Sequence, residues 1–182
     1  MNSCDIIIIG SGPSGYELAA NAVKRNLSTV IIERDQLGGT CLNRGCISTK
    51  ALCRSAEVAD LVRNASSFGV EVNEFSLSYA KAVNRKDAIV EQLRQGVSML
   101  LNGATVIKGE AKFTGENVVE VNGESYTAPR IVIATGSKPA MLPIPGAELA
   151  MTSDDVLSLE QLPESICVIG GGVIGVELAS IL

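Results

Sequence analysis

One pattern occurs twice in this chain and constrains its fold more than any other feature. The run IIIIGSGPSGYELAA, residues 6–20, recurs without a gap as CVIGGGVIGVELAS, residues 167–180. Each copy reads as a short apolar strand, a glycine turn and a helix. Such a unit cannot bury its own hydrophobic faces, so it predicts a parallel sheet covered by helices. Residues 28–32 form a second apolar run after the first helix and end at Glu33, which completes a βαβ unit of about 30 residues.

Within the first copy, Gly10, Gly12 and Gly15 form G-x-G-x-x-G. The first permits a tight turn, the second lets backbone approach a pyrophosphate, and the third lets the helix pack closely on the strand. The helix start at Pro13 and Ser14 offers its N-terminal partial charge to an anion. Taken alone the string is weak evidence. Glu33 strengthens it, because a carboxylate at the end of the next strand can reach an adenosine ribose hydroxyl and disfavours a 2′-phosphate. Gly170, Gly172 and Gly175 repeat the arrangement in the second copy. That copy stops in its first helix, so these residues are expected to be a piece of a larger protein.

The intervening sequence supports an α/β fold. Hydrophobic residues make up 46% of the chain and aromatics 3%, so Ile, Val, Leu and Ala must fill the core. Helices are predicted over 46–62 and 79–101, the second with Val83, Val90, Leu93, Val97 and Leu100 on one apolar face. Turn signals at Gly109, Gly115 and Asn122-Gly123 predict an antiparallel meander over 105–126. Residues 130–134 and 166–169 read as further strands, and KPAMLPIPGAE as a connection. The resulting expectation is a Rossmann-like domain over 1–148 with a parallel sheet and a meander, then a linker and the truncated start of a second Rossmann-like domain over 149–182.

A net charge of −5 without a basic run argues against nucleic acid as a partner. No apolar stretch approaches the roughly 18 residues that span a bilayer, and no targeting segment follows Met1, so a cytoplasmic protein without a membrane role is expected. Five cysteines and no histidine shape the possible chemistry. Cys41 and Cys46 lie in GGTCLNRGCISTK. On one regular helix they would differ by about 7.5 Å in rise, beyond the usual Cα separation of a disulfide. Bridging them requires a break, for which Gly45 is well placed; two separate thiols are the alternative that spacing leaves open. A zinc site from Cys41, Cys46 and Cys53 lacks both histidine and C-x-x-C spacing, and no metal is expected. Cys4 and Cys167 read as small core residues beside the two nucleotide strands.

GGTCLNRGCISTKAL resembles the redox signature of the pyridine nucleotide-disulfide oxidoreductases. IVIATGSKP resembles that family's second flavin-domain motif, TSDDVLSLEQLP its interdomain link, and GGGVIGVE its NAD-domain fingerprint. GPSGY together with the CLN wording is most similar to the dihydrolipoamide dehydrogenase branch. The resemblance covers nearly the whole chain but only the N-terminal part of the family's length.

It implies a homodimeric FAD enzyme that passes electrons from dihydrolipoamide, or another dithiol, through a Cys41/Cys46 disulfide and the flavin to NAD. Cys41 would exchange with substrate and Cys46 would face the flavin, with Lys50 beside it and Glu177 reaching Lys50. Flavin contacts would include Gly39, Thr40, Ala134, Thr135 and Gly136, and Gly170, Gly172 and Gly175 would serve NAD. A 2-oxo acid dehydrogenase or glycine cleavage complex is the implied host. Ser48 departs from the family's usual proline and is expected to loosen that helical turn. Without histidine, this chain alone is expected to be inactive. A related reductase of glutathione, mercuric ion or another disulfide, and a non-catalytic flavin-binding module, are the alternatives.

Overall fold

The computed structural model describes all of residues 1–182. Its elements are β1 (Asn2–Ser3), β2 (Ile6–Ile9), α1 (Pro13–Lys24), β3 (Thr29–Glu33), α2 (Gly39–Arg44), α3 (Cys46–Arg63) and α4 (Tyr79–Leu100). There follow β4 (Thr105–Lys108), β5 (Lys112–Gly115), β6 (Val118–Val121), β7 (Glu124–Thr127), β8 (Ile131–Ile133), α5 (Ser153–Val156) and α6 (Val173–Ile181). Two compact units form, Met1–Asn43 with Glu91–Lys138 and Arg44–Val90 with Pro139–Leu182.

In the first unit a parallel sheet runs in the order β4-β3-β2-β8. Ile7, Ile8 and Ile31 are completely buried. Their β-branched side chains suit a pleated surface covered on both faces, and each contributes about 1.5–3 kcal/mol by leaving water. Helix α1 starts at Pro13, where no backbone donor is needed. It buries Ala19, Ala20 and Ala22, side chains small enough for close approach to β2 and β3.

A second sheet has the order β1-β7-β6-β5. Strands β5, β6 and β7 form the meander, turning through Asn122 and Gly123, both with positive φ. Val119, Val121 and Ala128 pack with Ile7, Val30 and Ile32 in one cluster. The meander is shorter than expected, because residues 105–108 leave it. They pair parallel with Val30–Glu33 as an edge strand, and Gly109 donates its N–H to the Glu33 carbonyl instead of forming a hairpin.

The second unit is helical. Leu52, Val156, Leu157 and Leu178 form its core, with Ala82, Leu159, Ile181 and Leu182 against them. Thr152 and Asp155 form a reciprocal capping box at the start of α5. Lys86 is buried, its Nζ donating to the Leu157 carbonyl at 2.9 Å and pairing with Asp87 at 2.9 Å, which offsets the cost of removing an ammonium from water.

Three expectations are corrected here. Residues 166–169 are not a strand: no neighbouring chain pairs with them, and a parallel strand needs a lateral partner for its backbone groups. Cys167 is accordingly exposed and is no core residue. On α4, Val90 and Val97 are buried but Leu93 and Leu100 are exposed, since the buried seam continues to Leu101 beyond the helix end.

Candidate functional site

The glycine turn after β2 is set by backbone crowding. Gly10 has φ +102°, and a methyl group there would lie 2.3 Å from the Ala134 carbonyl oxygen. Its N–H donates to the Ile32 carbonyl, while Ala134 donates to Ile9, so the ends of three strands meet at this residue. At Gly15 a methyl would come within 1.9 Å of the Gly10 oxygen. Gly12 is extended and caps α1 without a side-chain hydrogen bond, so no side chain covers the helix N-terminus. Residues 38 and 39 lie against this turn. Gly38 donates to the Ser11 carbonyl at 3.0 Å, and Gly39, with φ +61°, faces the Gly12 backbone.

Glu33 lies at the carboxyl edge of the sheet, where a doubly wound fold binds its ligand. Its Oε2 accepts from the Ser11 N–H at 2.8 Å and the Ser11 hydroxyl at 2.7 Å, and its Oε1 from the Asp35 N–H at 2.9 Å. Sequence reasoning placed Glu33 but missed Ser11, fully buried, as the group that aims it. Gly10, Gly12, Gly15, Glu33, Gly39 and Ala134 are thus brought together. Pro13 and Ser14 open α1, and Thr135 borders Gly10; Gly136 has positive φ in open surroundings.

The thiol segment begins on α2, which carries Thr40, Cys41 and a buried Leu42. This helix ends at Arg44. Gly45, at φ −143° and ψ −119°, breaks it before α3 starts at Cys46, so the two cysteines do not share one regular helix. All five cysteines are thiols in the structure. Ser48 is buried in the first turn of α3, which forms without proline; Thr49 ties that turn to the Gly45 carbonyl through both its N–H and its hydroxyl. Tyr16, next to Gly15, has its phenol raised above the usual value, first by burial and then by Glu17 and Cys41.

Asn43 follows Cys41 by two residues on α2. Its Nδ2 donates to the carbonyls of Leu37 at 3.0 Å and Gly39 at 2.9 Å, and its Oδ1 accepts from Arg94. No sequence signal marked Arg94, which sits on α4 among polar residues that read as a solvated face.

In the second unit, Cys46 and Lys50 are exposed on α3, and Glu177 is half-buried on α6. No ion pair joins Lys50 to Glu177. The partner of Glu177 is Cys53, whose Sγ lies 3.9 Å from Oε1. Burial pushes the Cys53 thiol up, Glu177 and Glu57 add to this, and Lys50 opposes it. Gly170, Gly172 and Gly175 repeat the first glycine turn, with φ +105° at Gly170 and an extended Gly172. No helix is long and apolar enough to cross a membrane.

The model of the pyridine nucleotide-disulphide oxidoreductase family matches residues 4–182. The dihydrolipoyl dehydrogenases of Chlamydia pneumoniae and Chlorobaculum parvum are 42% and 44% identical over 97% and 96% of this chain. That of Bacillus subtilis is 41% identical over 98%. The chain covers 40%, 39% and 41% of these three proteins, and so spans about two fifths of their length. Among solved structures, the HOCl-induced flavoprotein disulfide reductase RclA from Escherichia coli, in its Cu(II) complex, matches with a TM-score of 0.84 and 30% identity. That match takes in 100% of this chain and 40% of the other. Because the family match leaves out only residues 1–3, the chain belongs to the pyridine nucleotide-disulphide oxidoreductases.

Proposed function

We propose that this chain is the flavin-binding and thiol-bearing part of a disulfide oxidoreductase, and that the longer protein oxidises dihydrolipoamide through a Cys41/Cys46 disulfide and FAD to NAD. The observation that carries this reading is the helix break at Gly45, which frees the two cysteines from the spacing that a regular helix would impose. An FAD fits the first glycine turn: methyl groups at positions 10 and 15 would collide with backbone, whereas one at Gly12 would meet only the Gly39 Cα, at 4.0 Å. The open N-terminus of α1 at Gly12, Pro13 and Ser14 holds the pyrophosphate, and Glu33 accepts from the adenosine ribose. Gly39, Thr40, Ala134, Thr135 and Gly136 complete the flavin contacts.

When bound, FAD relays a pair of electrons between the dithiol and the nicotinamide. Cys41 exchanges with the substrate thiol, and Cys46 is the flavin-side thiol. Lys50 supplies a cation that favours a thiolate, and Glu177 pairs with it in the longer protein, leaving Cys53. Gly170, Gly172 and Gly175 serve NAD, within a domain that begins after residue 148. The protein is assigned to the cytoplasm as a homodimer serving a 2-oxo acid dehydrogenase or glycine cleavage complex.

A second reading, a reductase of another disulfide, is favoured by the similarity to a flavoprotein disulfide reductase. Turnover of lipoamide and glutathione by the longer protein distinguishes the two. Cys41→Ser and Cys46→Ser should each lower dihydrolipoamide oxidation by about a thousandfold or more. Wild-type turnover in either variant would refute the thiol assignment. The 182-residue chain supplied with FAD should show no steady turnover, having no histidine for acid-base work.

A further inference from the structure

We infer that Arg94 is a positioning residue for the Cys41 segment, acting through the side-chain amide of Asn43; its value to catalysis rests on the thiol role proposed above. Arg94 presents Nε at 3.2 Å and Nη2 at 2.9 Å to Asn43 Oδ1, a two-pronged contact that fixes which way the amide faces. Its third nitrogen is held by Glu91 one turn earlier on α4, so the guanidinium is anchored on both sides. With Oδ1 committed to the cation, Nδ2 must point the other way, and it donates to Leu37 and Gly39.

Those two carbonyls flank Gly38, whose N–H reaches Ser11, and Gly39 itself lies against Gly12. A single cation on α4 therefore orients one amide that braces residues 37–39, and this segment rests on the glycine turn through the Gly38 N–H. Cys41 lies between Gly39 and Asn43, both of them ends of this link. Loosening the link frees the thiol and the floor of the cradle together. Charge-assisted hydrogen bonds are the stronger kind, and the side chain of Arg94 is only 28% exposed, which limits screening by solvent.

The test compares Arg94→Met, Arg94→Lys and Asn43→Asp with wild type by amide hydrogen exchange and site-resolved alkylation of Cys41, with Cys4 and Cys167 as internal references. Neither measurement needs flavin or substrate, so the link can fail or hold independently of the proposed enzyme activity. Arg94→Met should speed exchange over 37–43 by about tenfold and alkylation of Cys41 severalfold, leaving exchange in Ile6–Ile9 and Thr29–Glu33 unchanged. Arg94→Lys, which keeps a donor, should fall between. Asn43→Asp keeps an acceptor for Arg94 but loses both donations, and should loosen 37–43 as much as Arg94→Met does. Unchanged exchange and alkylation in Arg94→Met, or loosening that spreads equally to the two core strands, would overturn the inference.

Discussion

Residues 6–20 and 166–180 carry the same pattern, yet the first copy contains a strand and the second does not. Ile6–Ile9 lies between β3 and β8, with Ile7 and Ile8 sealed from water. In the second copy Val168 is 40% and Ile169 65% exposed, and nothing pairs with them. The turns nevertheless agree. Gly10 and Gly170 have φ of +102° and +105°, Gly12 and Gly172 are both extended, and a helix follows in each. A turn and a helix start are closed by hydrogen bonds within a few residues, whereas strand backbone is satisfied only by another strand. The shared wording thus specifies the turn and helix by itself, and the strand only where neighbours are present.

The contrast can be broken most sharply at the paired glycines. Gly10→Ala meets both an unfavourable φ and the Ala134 carbonyl and should cost about 4 kcal/mol or more in urea unfolding. Gly170→Ala has nothing within 4 Å of the added methyl and should cost about 1–2 kcal/mol. Equal losses would mean that position 170 is as crowded as position 10. Next in size, Ile8→Ala should cost about 3 kcal/mol and Val168→Ala no more than about 0.5 kcal/mol. A Val168→Ala loss matching that of Ile8→Ala would show that the second copy forms its strand in solution.

The smallest expected effect concerns acid. The carboxyl of Asp5, just before the first copy, is held below the usual range by the Ser28 hydroxyl and N–H. Thr152 does the same for Asp155 in the second unit. A carboxylate depressed in the folded state contributes stability above its unfolded value of about 3.9, and loses it as pH falls through the folded value. Both groups lie at the surface, so each contribution is small. Asp5→Asn should flatten part of the fall in urea midpoint below about pH 4, and Asp155→Asn another part. An acid limb unchanged in Asp5→Asn would remove the Ser28 contact as its source.

What could be read in advance follows the same division between local and lateral information. The glycine turn, α1 and the extents of α3 and α4 are carried by periodicity and turn chemistry within the segments themselves. Residues 105–108 and 166–169 were legible as apolar runs, but their strand partners, or lack of them, depend on chain far away. At the site, Gly10, Gly12, Gly15 and Glu33 announced themselves through spacing. Ser11, Arg94 and Lys86 did not, because a serine in a loop or a basic residue on a helix reads as solvated until the fold brings Glu33, Asn43 or the Leu157 carbonyl against it. Glu177 was marked only by the family resemblance, which joins it to Lys50, and its neighbour here is Cys53.

The contact between Gly12 and Gly39 places unequal demands on its two members. A methyl on Gly39 would sit 2.6 Å from the Gly12 Cα, and φ is +61° there; a methyl on Gly12 would sit 4.0 Å from the Gly39 Cα, with φ of −64°. In a library randomising both codons and selected only for folding, position 39 should return almost nothing but glycine, while position 12 should also return alanine and serine. Adding selection for a bound dinucleotide should then narrow position 12 and leave the spectrum at position 39 as it was. On the proposed reading the first glycine answers to a ligand, whereas the second answers to the backbone packed against it.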